Sequence, residues 1–275
     1  MQETWTYYDV LPQDILDRYR VMETGSASKI IQAVCGNELD DIVSVLRSFV
    51  LTSRLLLTPG GNRGPIPITI DGMLDKLGWI EARIDIEKKT YFFPGHNSSA
   101  SAENELNNNR EYLISRTYQH GYSIDNVKGR LVADVEWNPK DGNLDRDFSA
   151  YRAWFEQGII VGAILITRLH DSTRELTRSI WNKYINDDPS HIFNKQPVDL
   201  STTTTANFEK AVQRVIRGDL GTCPILIFGI GEKTWDRKPW DGKIMRWDKE
   251  LQELVVVDYY AKSEKYSYEM LNPSS

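Results

Sequence analysis

Only two cysteines, Cys35 and Cys223, occur in the chain, far apart in sequence. That leaves no disulfide framework and suits reduced thiols in a cytoplasm. The four histidines, His96, His120, His170 and His191, include no close pair, so zinc-hydrolase and His-Asn-His sites lack their ligands. No run approaches the roughly 18 apolar residues of a membrane span. Met1 to Tyr8 lacks the basic-then-apolar order of a secretion signal, which argues against secretion. No G-x-S-x-G elbow is present, and G-I-G-E-K-T at Gly229 to Thr234 lacks the Gly-Lys-Thr order of a phosphate loop. Nor is there an excess of positive charge. A net charge of −6 and a pI near 5.4 argue against a general nucleic-acid coater with a basic surface.

Charge is nevertheless uneven. From Lys210 to Lys249 there are nine basic and five acidic residues, a local net of +4 that includes Lys233, Arg237 and Lys238. The 275 residues suffice for one large domain or a core with a helical appendage. Residues 8 to 57 read as helical, with Ile15, Leu16 and Tyr19, then Ile42, Val43, Leu46, Phe49 and Val50 at helical spacing. Ile68 to Leu77 reads as a further short helix, and Gly78 to Phe93 as one or two strands. The Ser- and Asn-rich stretch Asn97 to Asn109 reads as a loop. A helix is expected from about Glu111 to Gln119, another from Ser172 to Tyr184, and a loop over Asn186 to Leu200.

The most informative stretch runs from Ser123 to Arg168. Along the strand from Gly129 to Asn138, Leu131, Ala133, Val135 and Trp137 share one face. Val132, Asp134, Glu136 and Asn138 share the other. Asn126 to Gly129 can turn the chain, so that Asp125 on the preceding segment approaches Asp134. Asp is poorly suited to strands, and two acids at i, i+2 on one face contribute nothing to folding. Two unit charges about 4 Å apart repel by roughly 4 kcal/mol at an effective dielectric near 20. Such a cluster binds a cation or raises its pKa values, which points to metal-ion chemistry on oxygen ligands. Beyond a turn at Asn138 to Asn143, Asp145 reads as a helix N-cap with Asp147 in the first turn, and Gly158 closes the helix. Ile159 to Thr167 is a continuous apolar run, as in a buried parallel strand.

This arrangement resembles the PD-(D/E)xK nucleases, and within them type II restriction endonucleases of the BglII and BstYI kind. The spacing Asp125, Asp134, Val135, Glu136 carries the resemblance. It is joined by K-G-R at Lys128 to Arg130, V-E-W-N-P-K-D at Val135 to Asp141, R-D-F-S-A-Y-R at Arg146 to Arg152, and G-T-C-P-I-L-I-F-G-I at Gly221 to Ile230. Asp134 departs from the usual Glu, and Glu136 stands where Lys or Gln is commoner.

The resemblance implies an α/β fold, a restriction-endonuclease-like core with a central mixed β-sheet flanked by helices, plus an N-terminal helical region. Residues 1–77 would be that region, packed on a catalytic core at 78–275. It further implies Mg²⁺-dependent cleavage of double-stranded DNA at a short palindrome by a homodimer, with Mn²⁺ as a substitute ion. The setting would be the cytoplasm of a prokaryote, with a cognate DNA methyltransferase as genetic partner. Asp125, Asp134, the carbonyl of Val135 and Glu136 are the candidate metal ligands, with Glu136 also a candidate base and Lys128 a candidate phosphate contact, as is Lys140. Candidate DNA contacts are Asn194, Lys195, Gln196, Thr202, Thr203, Thr204, Lys233, Arg237 and Lys238. Two other readings share the fold: a structure-selective or repair nuclease, and a sequence-specific DNA binder that has lost catalysis.

Overall fold

The computed structural model describes residues 2–59, 64–92, 113–140, 142–187 and 205–259. The first elements are β1 (Glu3–Thr4), α1 (Tyr7–Val10), α2 (Gln13–Arg18), β2 (Arg20–Thr24), α3 (Ala27–Val34), α4 (Gly36–Ser48), α5 (Ser53–Leu57) and α6 (Pro65–Asp75). Then come β3 (Ile80–Arg83), β4 (Ile86–Tyr91), β5 (Leu113–Gln119), β6 (Ser123–Lys128), β7 (Leu131–Glu136), α7 (Gly142–Glu156) and β8 (Gly162–Arg168). The last are α8 (His170–Asp187), α9 (Phe208–Arg217), β9 (Ile225–Ile230), β10 (Lys243–Asp248) and β11 (Glu253–Asp258).

Seven strands form one mixed sheet in the order β1-β2-β9-β8-β7-β6-β3. The central β7, β8 and β9 are parallel, and the strands outside them pair antiparallel. β8 is buried on both faces, which a parallel strand covered by helices requires. Leu131, Ala133, Val135, Ile164, Ile166, Leu226 and Phe228 pack into one core with α1 to α6 and α8. Val132, Ala163, Leu165, Ile225 and Ile227 pack into a second core with α7 and α9. The expected mixed sheet between helical layers is therefore present. Local signals fix the helix ends: Asn207 Oδ1 accepts the Lys210 N–H at 2.9 Å to start α9, and Gly218 at φ +97° ends it.

Two expectations are corrected. The helical reading of residues 8 to 57 is interrupted by β2, which lies inside the main sheet beside β9. Arg20–Thr24 is too short to show a period, and its pairing partner lies some 200 residues on in sequence, at Ile225–Gly229. The expected helix at Glu111 to Gln119 is instead strand β5, paired with β4 from Ile86↔Gln119 to Tyr91↔Leu113. Its Ile, Thr and Tyr residues favour a strand once a partner is available. The Asn97 to Asn109 loop and the loop over Asn186 to Leu200 fall largely or wholly outside the described residues.

Candidate active site

The β6–β7 ladder runs in register from Lys128↔Leu131 to Asn126↔Ala133 and then stops. One step further, Asp134 Oδ1 accepts the Asp125 N–H at 2.9 Å. A side-chain carboxylate thus satisfies the amide that a ladder carbonyl would otherwise take. The period-two alternation places Asp134 and Glu136 on the α7 side of β7. There α7 presents Asp147 and Tyr151, four residues and about one turn apart. Tyr151 Oη donates to Asp134 Oδ2 at 2.5 Å, and Tyr151 is fully buried.

Asp134, Glu136 and Asp147 are all buried, at 4%, 7% and 4% exposure. Burial pushes the Asp134 carboxyl well above the usual carboxylate range, and the charges of Asp147 and Asp125 push it further. Tyr151 and the Asp125 amide pull against that rise. Glu136 is raised to about 9 by burial, by repulsion from Asp147 and Asp134, and by sharing a proton with Asp147. Asp147 rises to about 6, again mainly through burial, with Arg146 opposing. Arg146 Nε and Nη2 donate to Asp147 Oδ1, both at 3.3 Å. Asp147 Oδ2 is enclosed without a hydrogen bond of proper geometry.

Beside this cluster lies a cleft of about 1410 Å³. Asp125, Val135, Glu136, Lys140, Asn143 and Arg146 line it. Asp71 of α6, Lys76 just after it and Trp247 of β10 also line it. Asp71 Oδ1 accepts from Asn126 Nδ2 at 2.9 Å and so ties α6 to β6.

The donor set is all oxygen, desolvated and mutually repelling, and it contains one enclosed oxygen that no donor satisfies. That fits a hard dication. Among the described residues no three acidic, His or Cys side chains already converge as a cage. Asp134 is engaged by Tyr151 and the Asp125 amide, and Glu136 by Asp147. The protons that neutralise the cluster stand where a cation would compete.

Of the residues singled out in the sequence, Asp125, Asp134, Val135 and Glu136 are brought together. Lys128 is not. Its Nζ donates to Asp41 Oδ2 at 2.7 Å and to the Leu77 carbonyl at 2.8 Å. It lies two residues from Asn126 on the same strand, and the alternation that presents Asp125 to β7 turns Lys128 to the opposite face. Lys233, Arg237 and Lys238 are exposed and do not line the cleft. Asn194, Lys195, Gln196, Thr202, Thr203 and Thr204 lie outside the described residues.

Asp145 is not an N-cap: α7 begins at Gly142, and Asp145 in its first turn pairs with Arg214 at 2.7 Å. Asp147 is not a dipole partner at the helix end but part of the acidic cluster. The available signal was its position four residues before Tyr151, on the helix that follows the acid-bearing strand. Read alone, an acid near a helix start is indistinguishable from a capping residue.

A seven-stranded mixed sheet flanked by helices, with buried carboxylates beside a cleft at one strand edge, defines the restriction-endonuclease-like class of α/β protein. The family model for restriction endonuclease BglII/BglIII matches residues 19–230, and the chain belongs to that family. It is thereby a type II site-specific deoxyribonuclease that acts on double-stranded DNA, in a family that generally uses divalent metal ions. No match is found among curated proteins. No helix among the described residues is long and apolar enough to cross a membrane.

Proposed function

We propose that this endonuclease is Mg²⁺-dependent and cuts both strands of a short palindromic duplex as a homodimer. The observation that carries the metal reading is the buried, mutually repelling group Asp134, Glu136 and Asp147 with its enclosed, unsatisfied oxygen. Asp125, Asp134 and the Val135 carbonyl would hold the ion, with Glu136 as a further ligand. When bound, Mg²⁺ supplies Lewis-acid stabilisation of the phosphate and a bound water of lowered pKa.

The protein groups do the remaining work. Tyr151 Oη orients the Asp134 carboxylate. Glu136 lines the cleft and, once ionised, is positioned to accept a proton from the attacking water on a carboxylate oxygen. The walls formed by α6 and β10 confine the backbone of the duplex beside these groups. A two-fold dimer matches the symmetry of a palindrome and presents one such site to each strand. A cognate methyltransferase, encoded nearby, would protect the host's own copies of the site.

The test is digestion of unmethylated phage DNA in Mg²⁺, with EDTA and Ca²⁺ controls and Asp134→Ala alongside. Discrete bands that vanish in EDTA and in the variant are expected, and sequencing their ends gives the recognition site. Cleavage that persists in EDTA would overturn the metal reading. Ends that map to no common palindrome would overturn the symmetry reading.

A further inference from the structure

We infer that Arg146, on the second turn of α7, is the catalytic cation of this site and contacts the phosphate undergoing cleavage. The inference rests on the carboxylate-site reading above and deepens it.

The physical need comes first. Four carboxylates, Asp125, Asp134, Glu136 and Asp147, gather where a phosphodiester must sit, and hydrolysis adds negative charge to that phosphate in the transition state. A positioned donor aimed at the developing charge is the usual means of lowering such a barrier. Lys128 is excluded by geometry, because its ammonium is bound to Asp41 and the Leu77 carbonyl. Three basic side chains among the described residues line the cleft: Lys76, Lys140 and Arg146. Lys76 and Lys140 are exposed and make no hydrogen bond or ion pair to these acids among the described residues. Arg146 alone is anchored to the cluster, through Asp147.

The anchoring is incomplete in a way that suits catalysis. Both Arg146 contacts to Asp147 Oδ1 are long, at 3.3 Å, and its side chain remains 45% exposed. No hydrogen bond from Nη1 to a described residue is present. A guanidinium has five donors in a fixed plane, so Arg146 can keep Nε and Nη2 on Asp147 while Nη1 faces a phosphate oxygen in the cleft. Asp147 then has a role of its own, as the residue that holds Arg146 in place.

The rival account is that Arg146 only neutralises Asp147. Single-turnover cleavage of a plasmid carrying the mapped site, with full-length protein in Mg²⁺, separates the two. Arg146→Ala is expected to slow the bond-breaking step by about 100-fold or more, in line with loss of one transition-state donor. Duplex affinity in Ca²⁺ and thermal stability should change little. Arg146→Lys should recover part of the rate, and added guanidinium ion should partly rescue Arg146→Ala. The decisive variant is Arg146→Ala with Asp147→Asn. If neutralisation were the whole role, removing the Asp147 charge would restore the rate lost in Arg146→Ala, and a double variant clearly faster than Arg146→Ala would overturn the inference. If it stays as slow as Arg146→Ala, the phosphate contact is supported. Wild-type protein in the same assay keeps the two readings distinct: no wild-type cleavage defeats the site reading, whereas wild-type cleavage matched by Arg146→Ala defeats this one.

Discussion

At the scale of single residues, this site stores unfavourable electrostatics. Asp134 is enclosed, and burial and its acidic neighbours raise its pKa well above the usual carboxylate range. Asp134→Asn preserves the shape, and its amide can still meet Tyr151 Oη and the Asp125 N–H. That exchange is expected to raise the stability of the metal-free protein by about 0.5–2 kcal/mol while eliminating cleavage, the usual trade between activity and stability. Thermal melts beside the cleavage assay would check both. Tyr151→Phe removes only the hydroxyl. It should weaken Mg²⁺ binding, read as a higher ion concentration for half-maximal rate, while leaving duplex binding in Ca²⁺ intact.

The titrations give a further residue-scale prediction. Glu136 and Asp147 hold their protons more tightly folded than unfolded, with folded pKa values of about 9 and about 6. Their contribution to stability is therefore complete below the unfolded carboxylate values. It is lost as pH rises through about 6 for Asp147 and about 9 for Glu136. A cation that binds the ionised acids offsets the loss. Added Mg²⁺ should thus raise the melting temperature more near about pH 9 than near about pH 5. An equal shift at both would show that these acids do not hold the ion.

At the scale of elements, the end of β7 is the critical feature. Arg168, fully buried at the end of β8, donates from Nε to the Trp137 carbonyl at 3.0 Å and from Nη2 to Thr205 Oγ1. Burial lowers its pKa to about 10, against the opposing charge of Glu209. It braces the residue next to Glu136 against the start of α9. Arg168→Met has similar volume but leaves the Trp137 carbonyl unsatisfied, at a cost of about 1–3 kcal/mol. The expected result is a lower urea midpoint at unchanged slope. The β10–β11 hairpin lies beyond the segment that matches the family, yet Trp247, Gln252, Glu253 and Leu254 face the cleft. Met245 N–H donates to Thr58 Oγ1 at 2.8 Å, which docks the hairpin beside α5. Trp247→Ala is expected to weaken duplex binding without lowering the melting temperature, as measured by titration of a labelled duplex.

At the scale of the whole molecule, the net charge of −6 means that DNA affinity depends on a few placed cations. Lys76 and Lys140, which line the cleft, are the cations we propose for that role. Replacing either by Ala should flatten the dependence of log affinity on log salt by about one unit and weaken binding to all sequences alike. An unchanged slope would place the duplex elsewhere.

Much of the site was legible because strand alternation is a rigid rule. Leu131, Ala133 and Val135 against Asp134 and Glu136 assign the two faces of β7 without any tertiary information. The turn expected at Asn126 to Gly129 is tighter in the structure, at Gly129 and Arg130 between Lys128 and Leu131, and it sets Asp125 beside Asp134. The continuous apolar runs at Ile159 to Thr167 and Ile225 to Ile230 likewise announce the buried parallel centre. What remained hidden depends on partners distant in sequence. β2 is a strand only because β9 pairs with it, and β5 only because β4 does. The direction of Lys128 follows from Asp41 and Leu77, and the meaning of Asp147 from the packing of α7 against β7. The sequence by itself determined which residues carry acid and which face of β7 they occupy, since both follow from covalent order and backbone geometry. The tertiary structure alone decided which charges share one desolvated space, because the electrostatic cost of a group depends on every neighbour that the fold brings around it.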